Sequence, residues 1–320
     1  MTLILTIARI HFQFTVNTPI KLPDWSGSML RGAFGRALRQ LSCMTRQKDC
    51  AHCPLLNTCP YPAIFAPPAF ERRILRWIQH FPRPPAPYIL EPEGWGARVL
   101  GKGEKLRFGM TLMGRAEREL PLIVEAWKIA LRRGLGQGSG TAELDEVSLL
   151  PLAPGDETAL LYCPAQDKQI RKMPSQQLAS PPPTTVNSLM LRFYTPLRLQ
   201  DNGRALPPVK LTTAFLLMSI VRRVALLAEI YGNGTPDWNF EELAQKALTA
   251  VGEKALYWRD WTRYSSRQQC EMDLGGVIGT WRLTGDLSAF FPAIFLGQWL
   301  GLGKETVFGL GRYKLTRDVV

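Results

Sequence analysis

The chain has 320 residues, of which 46% are hydrophobic, and this size and composition suit a globular protein of two domains. Its formal net charge of +12 favours a polyanionic partner such as nucleic acid. No apolar run reaches the roughly 18 residues of a membrane span, and residues 3–10 lack the basic leader of a signal peptide. The sequence therefore predicts a cytoplasmic protein without a membrane partner.

The first predicted elements are a strand and a helix. Residues 3–16 alternate loosely between apolar and other side chains, as a strand does. Ser26 or Ser28 then caps a helix that ends near Leu41, because apolar residues recur on one face at helical spacing.

This first helix carries three arginines and two glycines. Arg31, Arg36 and Arg39 are spread outside its apolar face. Gly32 and Gly35 each cost about 1 kcal/mol of helix propensity relative to alanine, so their presence predicts a close neighbour. That neighbour is either another part of the protein or RNA.

Four of the six cysteines follow the helix as Cys43-x6-Cys50-x2-Cys53-x5-Cys59. The Cys-x2-Cys spacing is typical of a metal knuckle, and a disulfide framework is rare in a cytosolic protein. Four thiolates favour one structural Zn²⁺ with no open position for chemistry. An iron–sulfur cluster, free thiols, and His52 as an alternative ligand remain open.

The rest of the first half contains a proline-rich segment, 62–93, that we expect to be irregular. A strand over 103–112, a helix over 120–133, a glycine turn at 134–140 and a strand over 143–150 follow. This order fits an α+β fold of the ferredoxin-like βαββαβ type that carries a metal-binding insertion.

The pattern then restarts after a polar segment. A strand over 189–199 and a long apolar helix over 210–229 repeat the opening order, and Asn17-Thr-Pro-Ile-Lys is echoed by Tyr194-Thr-Pro-Leu-Arg. We interpret this as an internal duplication. The predicted divisions are a first domain over 1–163 with an insertion at about 42–95, a linker over 164–185, and a second domain over 186–320.

A glycine-rich stretch near the end of the chain, Gly301 to Tyr313, occupies the place that the glycine turn at 134–140 has in the first half. It contains four glycines together with Lys304 and Arg312. Glycine lets backbone amides approach a ligand, and basic side chains beside them suit a phosphate, but the spacing is not that of a P-loop. A structural turn before an edge strand fits equally well.

Several motifs in one order connect this region to a known family. Gly303–Tyr313 reads Gly-Lys-x-x-x-Phe-Gly-x-Gly-Arg-Tyr, and it is preceded by Arg263–Gln268 (Arg-Tyr-Ser-Ser-Arg-Gln), Met272–Gly276 and Gly285–Leu287. The set resembles the CRISPR precursor-RNA-processing endoribonuclease of the RAMP superfamily. The resemblance implies two tandem ferredoxin-like, or RRM-like, domains.

The resemblance also implies an activity. Such enzymes cleave precursor CRISPR RNA beside a repeat hairpin without a metal cofactor for catalysis. A 2′-hydroxyl attacks the adjacent phosphodiester and leaves a 2′,3′-cyclic phosphate. Many relatives place a histidine just before the Gly-Lys pair, whereas this chain has leucine there. Its three histidines, His11, His52 and His80, match no catalytic motif of the family.

Cations and a tyrosine are therefore the predicted catalytic groups, and they would act mainly by stabilising the phosphorane. The predicted catalytic residues are Arg31, Arg36, Tyr264, Arg267 and Lys304. The predicted RNA-binding residues are Lys21, Arg39, Gly301, Gly303, Gly309, Gly311, Arg312 and Tyr313.

Repeat or guide RNA and other CRISPR effector subunits are the implied partners. A non-cleaving RAMP subunit that only binds guide RNA is the rival interpretation. A DNA-binding zinc protein is the third, but no recognition-helix pattern follows the cysteines.

Overall fold

The structure is a computed structural model, and its backbone divides into two compact units, residues 6–177 and residues 178–320 together with 1–5. It describes residues 2–69, 83–136, 139–153, 155–167, 169–265 and 270–316.

The first unit contains the elements that precede the polar segment. Its strands and helices are β1 (Ile4–Val16), β2 (Ile20–Leu22), α1 (Gly27–Ser42), α2 (Pro60–Phe65), β3 (Tyr88–Pro92), β4 (Arg98–Leu100), β5 (Lys105–Met113), α3 (Leu120–Arg133), β6 (Ala142–Leu150) and β7 (Ala159–Tyr162). The next strand, β8 (Gln177–Ala179), lies across the boundary between the two units.

The main sheet of this unit is antiparallel and runs in the order β3-β5-β1-β6-β7, while β8 pairs with β1. Its first four members, taken with α1 and α3, follow the chain order strand, helix, strand, strand, helix, strand. A sheet in which the first and third of these strands lie at the centre is the ferredoxin-like arrangement. The predicted fold is therefore confirmed for the first half.

Aromatic side chains fill the core between the sheet and its helices. The inward positions of β1 include Phe12 and Phe14, which are fully buried because alternate residues of a strand share one face. Phe108 on β5 stacks on Phe12 with ring centroids 5.4 Å apart, and Trp127 on α3 lies 4.5 Å from Phe108. Phe34 on α1 stacks on Trp127 at 5.0 Å, so helices and sheet share one aromatic cluster.

The prediction of irregular chain over 62–93 is wrong at both ends. Pro60–Phe65 forms α2, which starts with a proline at a position where no amide donor is needed. Tyr88–Pro92 forms β3, whose five residues are all buried, so it lacks the alternation that reveals a half-exposed strand. Its buried Glu91 is paired with Arg9 on β1 at 2.8 Å. The remaining central residues of the segment, 70–82, lie outside the described residues.

The second unit repeats the arrangement. Its strands and helices are β9 (Ser188–Leu197), β10 (Gln200–Asp201), β11 (Arg204–Ala205), α4 (Thr213–Tyr231), α5 (Phe240–Thr249), β12 (Val251–Arg259), β13 (Thr262–Ser265), β14 (Cys270–Asp273), β15 (Gly276–Thr284), α6 (Phe291–Leu300) and β16 (Tyr313–Thr316). The sheet order β12-β15-β9-β16 is again ferredoxin-like, and β13 and β14 form a separate hairpin.

The echo between the two halves has a shared structural role. In the first unit, the hydroxyl of Thr18 accepts a hydrogen bond from the Thr141 amide at 2.8 Å, just after Gly140. In the second, the hydroxyl of Thr195 accepts one from the Arg312 amide at 2.8 Å, just after Gly311. Each Thr-Pro pair therefore ties the end of the first strand to the glycine that precedes the last strand.

The polar segment predicted as a linker contains a short strand. Gln177–Ala179 is β8, and the boundary between the two units falls inside this segment, at residues 177 and 178. No helix in the described ranges is both long and apolar enough to cross a membrane.

Candidate nucleic-acid interface

The glycine-rich stretch Gly301–Tyr313 connects α6 to β16 and packs against the end of β9. Gly301, Gly303, Gly309 and Gly311 all have positive φ values, between 59° and 85°. Only glycine adopts this region of backbone space without strain. The four glycines are therefore required by the backbone path itself.

Close packing adds a second requirement at two of them. A Cβ atom on Gly311 would lie 1.8 Å from the carbonyl oxygen of Leu302, and one on Gly303 would lie 2.4 Å from that of Arg198. The amides of Lys304 and Gly311 already donate to the Arg198 and Pro196 carbonyls, each at 2.9 Å. Within the second unit the stretch thus behaves as the structural turn that the sequence left open, and RNA contact by its glycines stays a prediction.

Arg223 on α4 holds the same stretch from the helix side. Its guanidinium donates to the carbonyl oxygens of Leu300 and Gly301 at 3.2 and 3.3 Å, and to the Thr306 hydroxyl at 3.1 Å. Desolvation lowers the pKa of Arg223 to about 10, so it remains charged at neutral pH. Sequence analysis did not reveal this contact, because Arg222 and Arg223 stand side by side in a long helical run and the sequence does not show which of them turns inward.

The sheet of the second unit carries basic side chains around a tyrosine on its outer face. Arg312 and Lys314 lie over the ring of Tyr194 at 5.3 and 5.9 Å. Arg192 is exposed two residues before Tyr194 on β9, and its Cα pairs with that of Lys314 on β16. Cations and an aromatic ring on an RRM-like sheet suit a nucleic-acid strand, since phosphates pair with cations and bases stack on rings.

The predicted residues of the glycine-rich stretch differ in their exposure to solvent. Lys304 is exposed, and Arg312 belongs to the cationic face just described. Tyr313 is only 1% exposed, and its hydroxyl donates to the Ile294 carbonyl at 2.8 Å. Burial raises the pKa of Tyr313. The prediction that its side chain contacts RNA is therefore corrected, because the ring belongs to the core.

On α1, the close neighbour that the sequence predicted is a protein side chain at Gly35, whereas at Gly32 a Cβ would meet only the Arg36 guanidinium, at an ordinary distance of 3.5 Å. A Cβ on Gly35 would lie 2.3 Å from the ring of Phe65 on α2. The Arg31 guanidinium stacks on the same ring at 4.2 Å. Arg31 also lies near Tyr88, whose pKa burial raises to about 12 although the Arg31 charge lowers it. The Arg31 side chain therefore helps to pack α2 against α1.

The other basic residues of this unit differ in accessibility. Arg36 and Lys21 are exposed. Arg39 donates to the carbonyls of Gln47 and Lys48, the latter at 2.9 Å, so it holds the cysteine-containing segment. Of the three predicted arginines of α1, Arg36 is the one that presents its side chain to solvent.

Of the two predicted catalytic residues in the Arg263–Gln268 motif, the structure describes only the backbone of Tyr264. Tyr264 is in β13, where its Cα pairs with that of Glu271, and its side chain is not described. Arg267 lies outside the described residues. Their assignment stays a prediction.

The histidines occupy separate places. His11 lies on the outer face of the first sheet, where burial lowers its pKa, Glu146 raises it and Arg107 lowers it. His52 is exposed in the cysteine segment, and His80 lies outside the described residues.

The predicted metal ligands lie close to one another. Cys43, Cys50, Cys53 and Cys59 are half-buried free thiols that line one small cavity. Burial raises the pKa of Cys50, the Arg39 guanidinium lowers it, and the other three cysteines raise it. Within the described ranges no group of three or more His, Cys, Asp or Glu residues has metal-binding geometry, so the thiols are not drawn into a complete coordination shell.

Comparison with known families finds two matches. A family model described as an N-terminal domain matches residues 5–175, and the model of the CRISPR-associated endoribonuclease Cas6 matches residues 191–313. The resemblance that the sequence motifs indicated is therefore confirmed over residues 191–313. The second match begins within β9 and ends at Tyr313, so it contains Tyr194 and the whole glycine stretch. No curated protein sequence matches the chain.

Solved structures of Cas6 proteins share the fold. A Cas6 product complex is 15% identical with a TM-score of 0.55, and the match covers 97% of this chain and 99% of the other. Thermus thermophilus Cas6 is 13% identical with a TM-score of 0.53, over 98% and 99% of the two chains. A partial Cas6-RT-Cas1–Cas2 complex is 12% identical with a TM-score of 0.54, and this chain spans 46% of the matched one.

Proposed function

We propose that this protein processes CRISPR RNA by binding the repeat hairpin of the precursor and cleaving it once per repeat. The attacking group is the 2′-hydroxyl next to the scissile phosphate, and the products are a 2′,3′-cyclic phosphate and a 5′-hydroxyl. Because the nucleophile belongs to the RNA, the reaction needs no catalytic metal ion. A precursor transcript is a cytoplasmic substrate, so we also propose that the protein acts in the cytoplasm.

The observation that carries the proposal is the match of the Cas6 endoribonuclease model to residues 191–313. The cationic face around Tyr194 lies in that same region and supplies what an RNA ligand requires. Arg312, Lys314 and Arg192 would neutralise phosphates, and the formal net charge of +12 supports the same ligand class.

We assign the chemistry to exposed cations. Arg36 and Lys304 are exposed, and they are separate candidates for the cation that stabilises the negative charge developing on the phosphorane. Tyr264 and Arg267 remain proposed members of the site. Arg31 and Arg39, by contrast, act through the packing contacts that they make around α1.

Protein partners follow from the same relationship. One similar structure is a complex that contains Cas6, RT, Cas1 and Cas2. We propose that this chain, too, works with other CRISPR proteins after or during RNA processing.

The proposal is tested by incubating the purified protein with repeat RNA in excess EDTA. We expect cleavage at one position, and about 100-fold slower cleavage for whichever of Arg36→Ala and Lys304→Ala removes a transition-state cation. If neither variant is slower, both residues are excluded as catalytic groups. Arg133→Ala, an exposed arginine at the end of α3, is the matched control and should cleave at the parent rate.

Tight binding without any cleavage would instead support the non-cleaving guide-RNA subunit. Cleavage that appears only with added Mg²⁺ would contradict metal independence. Zinc content is measured in the same EDTA-treated sample, so that loss of a structural ion is distinguished from a catalytic requirement.

A further inference from the structure

The segment between α1 and α2 has the backbone of a metal knuckle. Cys43 follows α1 directly, and Cys59 precedes α2 directly, so the two outer cysteines sit at the ends of two helices. Between them, the Cys53 amide donates to the Cys50 carbonyl at 3.2 Å, which closes the tight turn of a Cys-x2-Cys pair. All four thiols are therefore held near one another by regular elements rather than by chance.

The four thiols surround a cavity of defined size. It has a volume of about 10 Å³, which is room for one water-sized occupant. Leu55, Leu56 and Tyr61 also line it. A single ion fits this space.

Two weak contacts occupy the sulfurs in their present orientation. The Cys53 sulfur lies 3.4 Å from the Thr45 hydroxyl, and the Cys59 thiol donates to the Ser42 carbonyl at 3.8 Å. Sulfur–oxygen contacts of this kind are weak, so side-chain rotation toward the cavity costs little. Such rotation would close a four-sulfur shell around an ion.

The surroundings suit the negative charge of such a shell. Four thiolates around Zn²⁺ leave two excess negative charges, which nearby donors must offset. Arg39 is fixed beside the segment by its bonds to the Gln47 and Lys48 carbonyls. Arg46 and Lys48 lie within the segment itself, so these three cations outnumber the carboxylate of Asp49, which lines the cavity.

We propose that Cys43, Cys50, Cys53 and Cys59 bind one structural Zn²⁺ that fastens α2 to α1. His52 is exposed and does not line the cavity, so the shell consists of sulfur alone. With the segment fastened, Phe65 stays against Gly35 and beneath the Arg31 guanidinium. The ion thus stabilises the helix that carries Arg36 without taking part in chemistry.

The test is the metal content of the protein as purified, measured by inductively coupled plasma mass spectrometry. We expect about one zinc ion per chain, and X-ray absorption should show four sulfur ligands at about 2.3 Å. Cys163→Ser, which changes a half-buried cysteine outside the segment, should keep the zinc. Cys50→Ser combined with Cys53→Ser should remove it and lower Tm.

If that double variant does not fold, the native protein is tested instead by exchanging its metal for Co²⁺. Thiolate–Co²⁺ absorption bands are then the expected result. Four titratable thiols with no bound metal in the native protein would overturn the proposal. So would iron with sulfide, nitrogen or oxygen ligands in the absorption spectrum, or zinc retained by the double variant. None of these measurements involves RNA, so they are independent of the proposed nuclease activity.

Discussion

Replacing Gly311 by alanine is expected to destabilise the protein by roughly 3 kcal/mol. Part of this loss comes from forcing a side chain into a backbone with φ of 71°. The larger part comes from the clash of the new Cβ with the Leu302 carbonyl, since backbone on both sides fixes the distance at 1.8 Å. The measurement is the urea midpoint of unfolding, followed by circular dichroism.

Gly203→Ala is the matched control for this experiment. Gly203 has a similar φ of 79°, but a Cβ there would meet no atom within 4 Å. It should therefore lose only the strain component, about 1 kcal/mol. If the two variants unfold at the same midpoint, the close approach to Leu302 is not what requires glycine at position 311.

Replacing Arg223 by methionine is expected to cost a similar amount, roughly 3 kcal/mol. Methionine keeps much of the apolar stem but leaves the Leu300 and Gly301 carbonyls and the Thr306 hydroxyl without their charged donor. The glycine stretch should then lose its attachment to α4. Urea unfolding measures the loss, and proteolysis within 301–312 should become faster.

Arg222→Met tests whether this effect belongs to the buried contacts. Arg222 is the exposed neighbour of Arg223 on α4, and the same substitution there should change stability by less than about 0.5 kcal/mol. Equal losses for the two variants would mean that helix propensity or net charge, rather than the contact with the glycine stretch, explains the effect.

Periodicity predicted the elements that alternate or repeat clearly, whereas the predicted cap Ser26 precedes α1 without a capping bond from its side chain. The helix over 120–133 is α3 with the same bounds, and the strand over 3–16 is β1 less one residue. The chain order of these elements predicted the ferredoxin-like fold, because the connections between the first strand, the helix and the later strands allow few sheet topologies. The strand β3 was missed since all of its residues are buried and none alternates.

The glycine-rich stretch shows why the site was harder to predict than the fold. Its composition fits a phosphate-binding loop and a tight turn equally. The role as a tight turn is revealed only by the short distances from Gly311 to the Leu302 carbonyl and from Gly303 to the Arg198 carbonyl. Apart from Arg312, the residues of the cationic face were missed as well, although Arg192-x-Tyr194 and Arg312-x-Lys314 share the two-residue spacing of one strand face. Their meeting depends on the pairing of β9 with β16, which a single sequence does not reveal.

The central claim is cleavage by the 2′-hydroxyl of the RNA, and a single substituted substrate tests it most directly. Repeat RNA with one 2′-deoxy nucleotide immediately before the cut is compared with unmodified repeat RNA in EDTA. The account predicts equal binding, a 2′,3′-cyclic phosphate end on the unmodified product and no cleavage of the modified RNA. Cleavage of the 2′-deoxy substrate at the same position would show that the nucleophile is not this hydroxyl and would contradict the account.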